Sequence, residues 1–221
     1  MNPFRYPEEK LARHQTPGHF SDYRRYKPYL RTEFSRQCVY CCMPDGIQGH
    51  DSFGVDHYRP MSQFPSLSCE YENLFYSCNR CNRLKRDFWP AEEELVKGLF
   101  LPNPCDHTMG EHLRFHGARV MPTSQAGELT INLLLLNDES TVGYREFILR
   151  SIGRCLEKEK ALLETLLQLE SQLAAAPGPQ TSELRLEIAE LRVDLVEVQA
   201  DLERLTSKIL SGEGSLETRA P

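Results

Sequence analysis

The chain has 221 residues, of which 40% are hydrophobic, and this length suits one medium-sized or two small globular domains. A formal net charge of -6 excludes a protein that is basic throughout, and no apolar stretch approaches the roughly 20 residues that a membrane-spanning helix needs. The N-terminal sequence lacks the apolar segment of a secretory signal, so we expect a cytoplasmic protein without a membrane partner.

The N-terminal arm, residues 1–30, is basic and rich in tyrosine. Four prolines interrupt it, so we expect an irregular segment with at most one short helix. Two interpretations stay open: a packed, solvated extension, or an arm that contacts phosphates. Residues 1–90 carry 13 Lys and Arg against 10 Asp and Glu, whereas the rest of the chain is acidic. Nucleic acid, if bound, is therefore expected in this part.

The next segment, residues 31–90, contains six of the eight cysteines. Four of them form two CxxC pairs, Cys38/Cys41 and Cys78/Cys81. Two such pairs on separate turns can give a tetrahedral site of four thiolates, so the spacing predicts a structural zinc ion. Cys42 could replace Cys41, but the two-residue spacing of the other pair favours Cys41. A zinc site alone does not imply catalysis.

A mixed flanking region follows over residues 91–142. A short acidic helix is expected over residues 91–99, before Pro102 and Pro104. Residues 128–135 alternate apolar Leu129, Ile131 and Leu133 with polar residues, which predicts a strand. Three histidines are candidates for further metal or phosphate contacts, although packing or exposure is the simpler interpretation: His107, His112 and His116.

A long helical hairpin is expected over residues 143–210. Its first helix, over residues 142–176, has apolar residues at alternating spacings of four and three, with one break at Glu159, and ends at Pro177-Gly178-Pro179. The second helix starts near Ser182 as N-cap. Its apolar residues form an unbroken heptad series: Leu184, Ile188, Leu191, Leu195, Val198, Leu202, Leu205 and Ile209. This pattern predicts an antiparallel coiled coil, with a disordered tail over residues 211–221.

The residues around the cysteine pairs resemble the HNH endonuclease family. The motifs follow the family order: Cys38/Cys41, Asp56-His57 with Pro60, Asn73-Leu74, Cys78/Cys81, Asn82 and Lys85. The resemblance covers roughly residues 31–90 and implies a ββα-metal core. The expected fold class is therefore α+β, a small zinc-stapled ββα core followed by the mixed flanking region and the antiparallel coiled-coil hairpin. Many members have histidine where this chain has Asn82.

The resemblance implies a metal-dependent endonuclease that hydrolyses phosphodiester bonds in DNA. It gives His57 as the general base, and Asp56 and Asn82 as ligands of a catalytic Mg2+ or Mn2+. It gives Asn73 as the residue that ties the hairpin loop to the helix and helps to aim His57. Neighbouring strand residues point to opposite faces, so Asp56 and His57 can act together only where the strand ends or twists. Five cations are candidates for nucleic-acid contacts, or form a solvated face: Arg59, Arg80, Arg83, Lys85 and Arg86.

The resemblance extends to HNH proteins of bacterial defence systems, some of which act beside an ATPase. One expectation is thus the effector subunit of an anti-phage complex, with the hairpin as the element for a protein partner or for self-association. The alternative is a non-catalytic zinc module that binds nucleic acid or protein through the coiled coil. Such a module does not need Asp56, His57 and Asn82 together, so their co-occurrence favours the nuclease.

Overall fold

A computed structural model describes residues 2–175, 178 and 181–207. The described helices and strands follow one another in this order: α1 (Lys27–Glu33), α2 (Asp45–Gln48), β1 (Phe53–His57), β2 (Leu74–Cys78), α3 (Asn79–Lys85), α4 (Glu92–Val96), β3 (Leu113–His116), β4 (Arg119–Pro122), α5 (Gln125–Leu133), α6 (Glu139–Ala175) and α7 (Thr181–Thr206). Two small antiparallel sheets and two long helices confirm the α+β class. Within the described residues, no helix has both the length and the apolar character needed to cross a membrane.

The central unit is an antiparallel hairpin, β1 and β2, that runs directly into α3. Val55 pairs with Tyr76, and His57 pairs with Leu74 at the end of the ladder. All five residues of β2 are buried, so this strand forms the floor of the core. The Cys78 side chain caps α3 by accepting a hydrogen bond from the backbone N–H of Cys81. The ββα arrangement expected for residues 31–90 is therefore present.

The N-terminal arm packs against this unit instead of extending from it. Phe4, Tyr6 and Tyr26 are buried in the main hydrophobic core. The guanidinium of Arg13 lies 4.8 Å from the ring centre of Phe75 and donates a hydrogen bond of 2.8 Å to a backbone carbonyl of β2. A guanidinium over an aromatic face is attracted by the ring electrons. Of the two interpretations of this arm, the packed extension is the one that these contacts favour.

The strand expected over residues 128–135 is wrong, because this segment belongs to helix α5. The Ser124 side chain caps the helix by accepting a hydrogen bond of 3.1 Å from the N–H of Gly127. Within α5 the buried residues are Ala126, Gly127 and Thr130, and Leu134 at the C-cap is buried as well. Ala126, Thr130 and Leu134 are four residues apart and therefore share one face. The alternation that suggested a strand involves side chains that are only half-buried. The flanking region instead takes its sheet from β3 and β4, which were not expected.

Helices α6 and α7 form the expected helical hairpin. The described seam residues of α7 are all buried or half-buried, and they pack against α6. Ser182 lies inside α7, which begins at Thr181, so its expected role as N-cap is wrong. Pro177, Pro179, Ile209 and the tail over residues 211–221 lie outside the described residues, and their expected roles stay predictions.

The base of the hairpin is fixed to the segment that carries the first cysteine pair. Arg36 donates a hydrogen bond of 3.0 Å to the Glu203 carboxylate, and its carbonyl accepts one of 3.0 Å from the Ser207 hydroxyl. The backbones of α2 and α7 approach so closely that a Cβ atom on Gly46 would lie 2.6 Å from the carbonyl oxygen of Arg204. Glycine at position 46 therefore permits α7 to dock on α2.

Truncating a buried residue of α7 should reveal how much this docking stabilises the fold. Leu202 is fully buried, and Leu202→Ala is expected to lower the free energy of unfolding by about 2–5 kcal/mol, because it leaves a cavity. Leu167, on α6, is 68% exposed, and Leu167→Ala should change that energy by less than about 0.5 kcal/mol. Urea unfolding followed by circular dichroism measures both. Equal losses would contradict the packing of α7 described above.

Candidate active site and metal centre

Four buried thiols from the two CxxC pairs meet at the N-terminus of α3. The sulfur atoms of Cys38, Cys41, Cys78 and Cys81 all lie within 4.8 Å of one another. The distance between the Cys41 and Cys78 sulfurs is 3.8 Å. A tetrahedral zinc site with Zn–S bonds of about 2.3 Å requires sulfur separations of roughly 3.8 Å. The cluster therefore has the donor set and the spacing that suit Zn2+.

Cys42 does not belong to this cluster. Its backbone turns away at a positive φ of 56°, and its thiol donates a hydrogen bond of 3.7 Å to the carbonyl of Arg5. The choice of Cys41 over Cys42 made from the spacing agrees with this arrangement. Burial raises the pKa of the Cys42 thiol well above its usual value, so the protonated form is favoured.

The four clustered thiols lie close enough to affect one another's ionisation. Burial opposes ionisation of Cys38, but hydrogen bonds from the other three thiols outweigh it and hold the pKa of Cys38 well below its usual value. Hydrogen bonds with Cys38 and Cys41 raise the pKa of Cys81 well above its usual value. Four thiolates in one buried site repel one another, so a bound cation such as Zn2+ would be needed to hold all four in that form.

His57, the expected general base, lies at the end of β1 with a fixed ring. Its Nε2 is 2.9 Å from the carbonyl oxygen of Ser68. A carbonyl only accepts hydrogen bonds, so Nε2 carries the proton and the neutral ring keeps a lone pair on Nδ1. The ring of Tyr23 packs edge-to-face against the imidazole at 4.6 Å between centres. The orientation of His57 is therefore set by the hairpin loop and by the N-terminal arm.

Asn73 closes the long loop between β1 and β2. Its Oδ1 accepts a hydrogen bond of 2.8 Å from the N–H of Arg59, and its Nδ2 donates to the carbonyls of Arg59 at 3.1 Å and Leu67 at 3.2 Å. These bonds join the two ends of the loop to each other and do not reach α3, which differs from the expected tie to the helix. Because Leu67 precedes Ser68, the same bonds hold the carbonyl that orients His57.

Asp56 is almost completely buried and is bonded on both carboxylate oxygens. Tyr40 donates to it at 2.5 Å, and the ammonium group of Lys85 donates at 3.3 Å. Lys85 also donates a hydrogen bond of 2.6 Å to the carbonyl of His57. Burial raises the pKa of the Asp56 carboxyl, and the nearby Lys85 ammonium acts in the opposite direction. An ionised carboxylate oxygen can accept more than one partner, so these bonds leave acceptor capacity for a cation.

One open cavity of about 400 Å³ brings together three of the four expected catalytic residues, all except Asn73. Asp56, His57 and Asn82 all line it, because β1 ends at His57 and α3 runs alongside. The Nδ2 of Asn82 donates a hydrogen bond of 3.4 Å to the carbonyl of Val55, so its amide oxygen is the atom that could coordinate a cation. Carboxylate and amide oxygens are donors that Mg2+ and Mn2+ accept, so the residues of this cavity fit a hard divalent cation.

The five expected phosphate-binding cations fall into two groups. The side chains of Arg59, Arg83 and Arg86 are exposed. Arg80 instead donates hydrogen bonds of 3.0 Å to the carbonyls of Leu134 and Leu135 near the end of α5. Lys85 is only 1% exposed, in its ion pair with Asp56. Arg80 and Lys85 therefore differ from the expectation. The Arg80 guanidinium binds carbonyl groups near the end of α5, and the Lys85 ammonium pairs with the Asp56 carboxylate.

Sequence reasoning missed two partners of the site. Tyr40 lies between the cysteines of the first pair, and the tight turn around it aims its hydroxyl at Asp56. The sequence did contain a signal for Tyr40, namely its position between two of the expected zinc ligands. Tyr23 carried none, because its contact with His57 bridges 34 residues of chain. The three histidines of the flanking region do not join the cysteine cluster; His107 and His112 pack around Phe100 instead.

Comparison with known proteins agrees with this geometry. Residues 38–88 match the family model described as HNH endonuclease. The segment spans all four clustered cysteines and the cavity residues, so the family resemblance inferred from the sequence is confirmed and supports a protein of the nuclease kind.

Two curated proteins are also similar to this chain. Both are named Septu protein PtuB. The one from Bacillus thuringiensis is 26% identical over 143 residues, which cover 62% of this chain and 52% of that protein. The one from Bacillus mycoides (strain KBAB4) is 26% identical over 153 residues, which cover 57% of this chain and 51% of that protein. The chain thus spans about half the length of these relatives. No solved structure matches it.

The adjacent cysteines Cys41 and Cys42 provide a matched test of the zinc site. The protein is expected to purify with one zinc ion per chain, measured by elemental mass spectrometry. Cys41→Ser should lose most of that zinc and much of its stability, because structural zinc binding contributes folding free energy. Cys42→Ser should retain it, because its thiol lies outside the cluster. The assignment of the site would be wrong if Cys42→Ser lost the metal and Cys41→Ser kept it.

Proposed function

We propose that this chain is a metal-dependent HNH endonuclease that hydrolyses phosphodiester bonds in DNA. The observation that carries the proposal is the convergence of Asp56, His57 and Asn82 on one open cavity. Exposed Arg86 lines this cavity just after the end of α3, and exposed Arg83 lies on α3 itself. Both carry the positive charge that a polyanionic substrate requires. The family match over residues 38–88 supports the same chemistry.

His57 is proposed to act as the general base. Its Nε2–H is held by the Ser68 carbonyl, so Nδ1 is the atom that takes a proton from the attacking water. Asn73 keeps the loop that carries Ser68 closed, and Tyr23 supports the ring from the side. The water oxygen then forms a bond to phosphorus while the bond between phosphorus and the 3′ oxygen breaks. The leaving 3′ oxygen takes a proton from solvent, and the imidazole returns its proton to solvent.

Asp56 and the amide oxygen of Asn82 are proposed to hold Mg2+ or Mn2+. A divalent cation bound there supplies a Lewis acid that polarises the phosphate and stabilises the leaving oxygen. Tyr40 and Lys85 hold the Asp56 carboxylate in one orientation before a cation arrives. Lys85 also fixes the backbone of His57, so one buried ammonium group positions the metal ligand and the base together.

Removing the imidazole tests the assignment of the base. His57→Ala is expected to lower the rate of Mg2+- or Mn2+-dependent plasmid cleavage by about 10²–10⁴-fold, the usual contribution of a general base. His116→Ala is the matched control, because His116 is exposed on β3, and it should cleave like the wild type. Zinc content should be unchanged in both. Cleavage by His57→Ala at the rate of the wild type would overturn the mechanism.

The biological setting is proposed from the relatives. Their name, Septu protein PtuB, and the resemblance to HNH proteins of bacterial defence support a role as effector subunit of an anti-phage complex. In such a complex the nuclease works with other protein subunits, and an ATPase is the expected kind of partner. The helical hairpin is the element proposed to make contact, since its acidic surface does not favour DNA.

The surface that the hairpin offers to a protein partner is not formed by the heptad seam predicted from the sequence. That seam is filled by α6 within the chain, so Leu195 is half-buried there and Leu195→Asp would disturb the hairpin itself. A second apolar row lies on the outward face of α7, with the spacing of a heptad repeat: Leu186, Ala189, Val193, Val196 and Ala200. Its three largest residues are 60–64% exposed. Such a row favours a helical partner.

The charges beside this outward row favour a second copy of α7 as that partner. With Val193 and Val196 in the a and d positions, Arg185 and Arg192 occupy g positions, and Glu190 and Glu197 occupy e positions. Two parallel copies would place each arginine opposite a glutamate of the partner subunit, which stabilises this orientation. Arg192 also pairs with Glu170 of α6 at 2.8 Å and would be shared between the two.

A charge in the outward row tests self-association. Val193→Asp should convert the wild-type dimer to a monomer in light scattering, because a carboxylate in the a position must be desolvated on pairing. Asp194→Asn changes a neighbouring exposed residue outside the row and should leave the dimer intact. A wild-type protein that is monomeric at high concentration would contradict self-association and leave the row to a different protein.

A further inference from the structure

A second open cavity, of about 410 Å³, lies beside the candidate active site. This volume falls within the range of about 300–1,000 Å³ that is typical of small-ligand pockets. Its lining is mainly aromatic and apolar, with one cation and one carboxylate at the rim: Tyr58, Trp89, Phe100, His107, Arg59 and Asp106. None of these residues was given a role in cleavage above except Arg59, as a phosphate contact.

The two cavities are neighbours because the same two elements form their walls. After His57, which lines the catalytic cavity, the chain passes Tyr58 and Arg59, which line the aromatic cavity, and returns to the catalytic one at Pro60. On the helix side, Asp87 lines the catalytic cavity and Trp89 the aromatic one. A nucleotide with its phosphate near His57 therefore has the aromatic cavity within reach of its base.

The aromatic walls are fixed by their own contacts. The Tyr58 hydroxyl donates a hydrogen bond of 2.6 Å to the carbonyl of Leu101, and its ring meets Trp89 edge-to-face at 5.5 Å between centres. Phe100 stacks on His107 at 4.7 Å. These rings are half-buried, so part of their surface remains open to the cavity. Pre-oriented aromatic surfaces of this kind suit a flat ligand that stacks.

The polar groups at the rim suit a nucleobase. The guanidinium of Arg59 lies 5.3 Å from the centre of the Trp89 ring, where a stacked base would extend the same cation–π arrangement. Asp106 accepts one hydrogen bond of 2.9 Å from Asn103 and keeps acceptor capacity for an N–H group at the edge of a base. Burial lowers the pKa of His107, so its ring is neutral and can stack without charge repulsion from Arg59.

We propose that this aromatic cavity receives an unpaired nucleobase of the strand that is cut. The inference rests on the proposed nuclease function and extends it to the substrate: nucleic acid that is single-stranded, or that offers a base rotated out of its stack, is bound preferentially over an intact duplex. Stacking of the base would then place the adjoining phosphate next to His57. The binding energy of this stacking does not depend on which base is bound.

Trp89 is the single tryptophan of the chain, so its fluorescence reports on this cavity directly. The test uses the full-length His57→Ala protein without metal, and a labelled single-stranded oligothymidylate of twelve nucleotides. Binding is followed by label anisotropy and by Trp89 emission in the same titration. A fall in Trp89 emission with the same midpoint as the anisotropy is expected. An abasic strand of the same length should bind more weakly and leave the emission unchanged.

Two variants sharpen the test. Phe100→Ala should weaken oligothymidylate binding by about 5- to 150-fold, the effect of losing one stacking contact. Phe147→Ala, at a 54% exposed aromatic of α6 outside the cavity, should have no effect. The inference is overturned if anisotropy rises without any change in Trp89 emission, if the abasic strand behaves like oligothymidylate, or if neither strand binds. In the first two cases, metal-dependent cleavage by the wild type would show that the nuclease proposal still stands.

Discussion

The convergence of four thiols at the start of α3 is the constraint on which the candidate site depends. The cysteine pairs are separated by 36 residues, and their sulfurs nevertheless lie within 4.8 Å of one another. One pair belongs to the turn that carries Tyr40, and the other joins β2 to the helix that carries Asn82 and Lys85. A metal bound there would tie both segments together. Tyr40, Asn82 and Lys85 would then all be held in place by the same cluster.

The buried ion pair of Lys85 and Asp56 links the four-cysteine cluster to the candidate catalytic residues. A carboxylate as deeply buried as Asp56 is costly unless it is paired and hydrogen-bonded, and Lys85 and Tyr40 meet that requirement. Because Lys85 also holds the carbonyl of His57, the pair aligns two neighbouring residues whose side chains would otherwise point to opposite faces. The fold thus uses Lys85 to orient both residues, whereas Arg59, Arg83 and Arg86 remain exposed.

The C-terminal half has a different physical character. Helices α6 and α7 bury one apolar seam between themselves, and hydrogen bonds from Arg36 and Ser207 fix their base beside the first cysteine pair. Acidic residues outnumber basic residues over 143–221 by 14 to 10, whereas basic residues outnumber acidic ones over 1–90 by 13 to 10. Charge therefore distinguishes the proposed substrate-binding core from the proposed protein-binding hairpin in one chain.

The sequence by itself determined the zinc ligands to be tested, the order of the HNH motifs and the helical hairpin, because ligand spacing and heptad periodicity are local signals. The tertiary structure decided the rest. It used the charges of Arg80 and Lys85 internally, made residues 125–133 a helix through the Ser124 cap, and placed Tyr23 and Tyr40 against His57 and Asp56. It also left an aromatic cavity between Trp89 and Phe100. The Ser124 cap is a local contact, but the other features depend on contacts between residues separated in the chain, which neither spacing nor composition records.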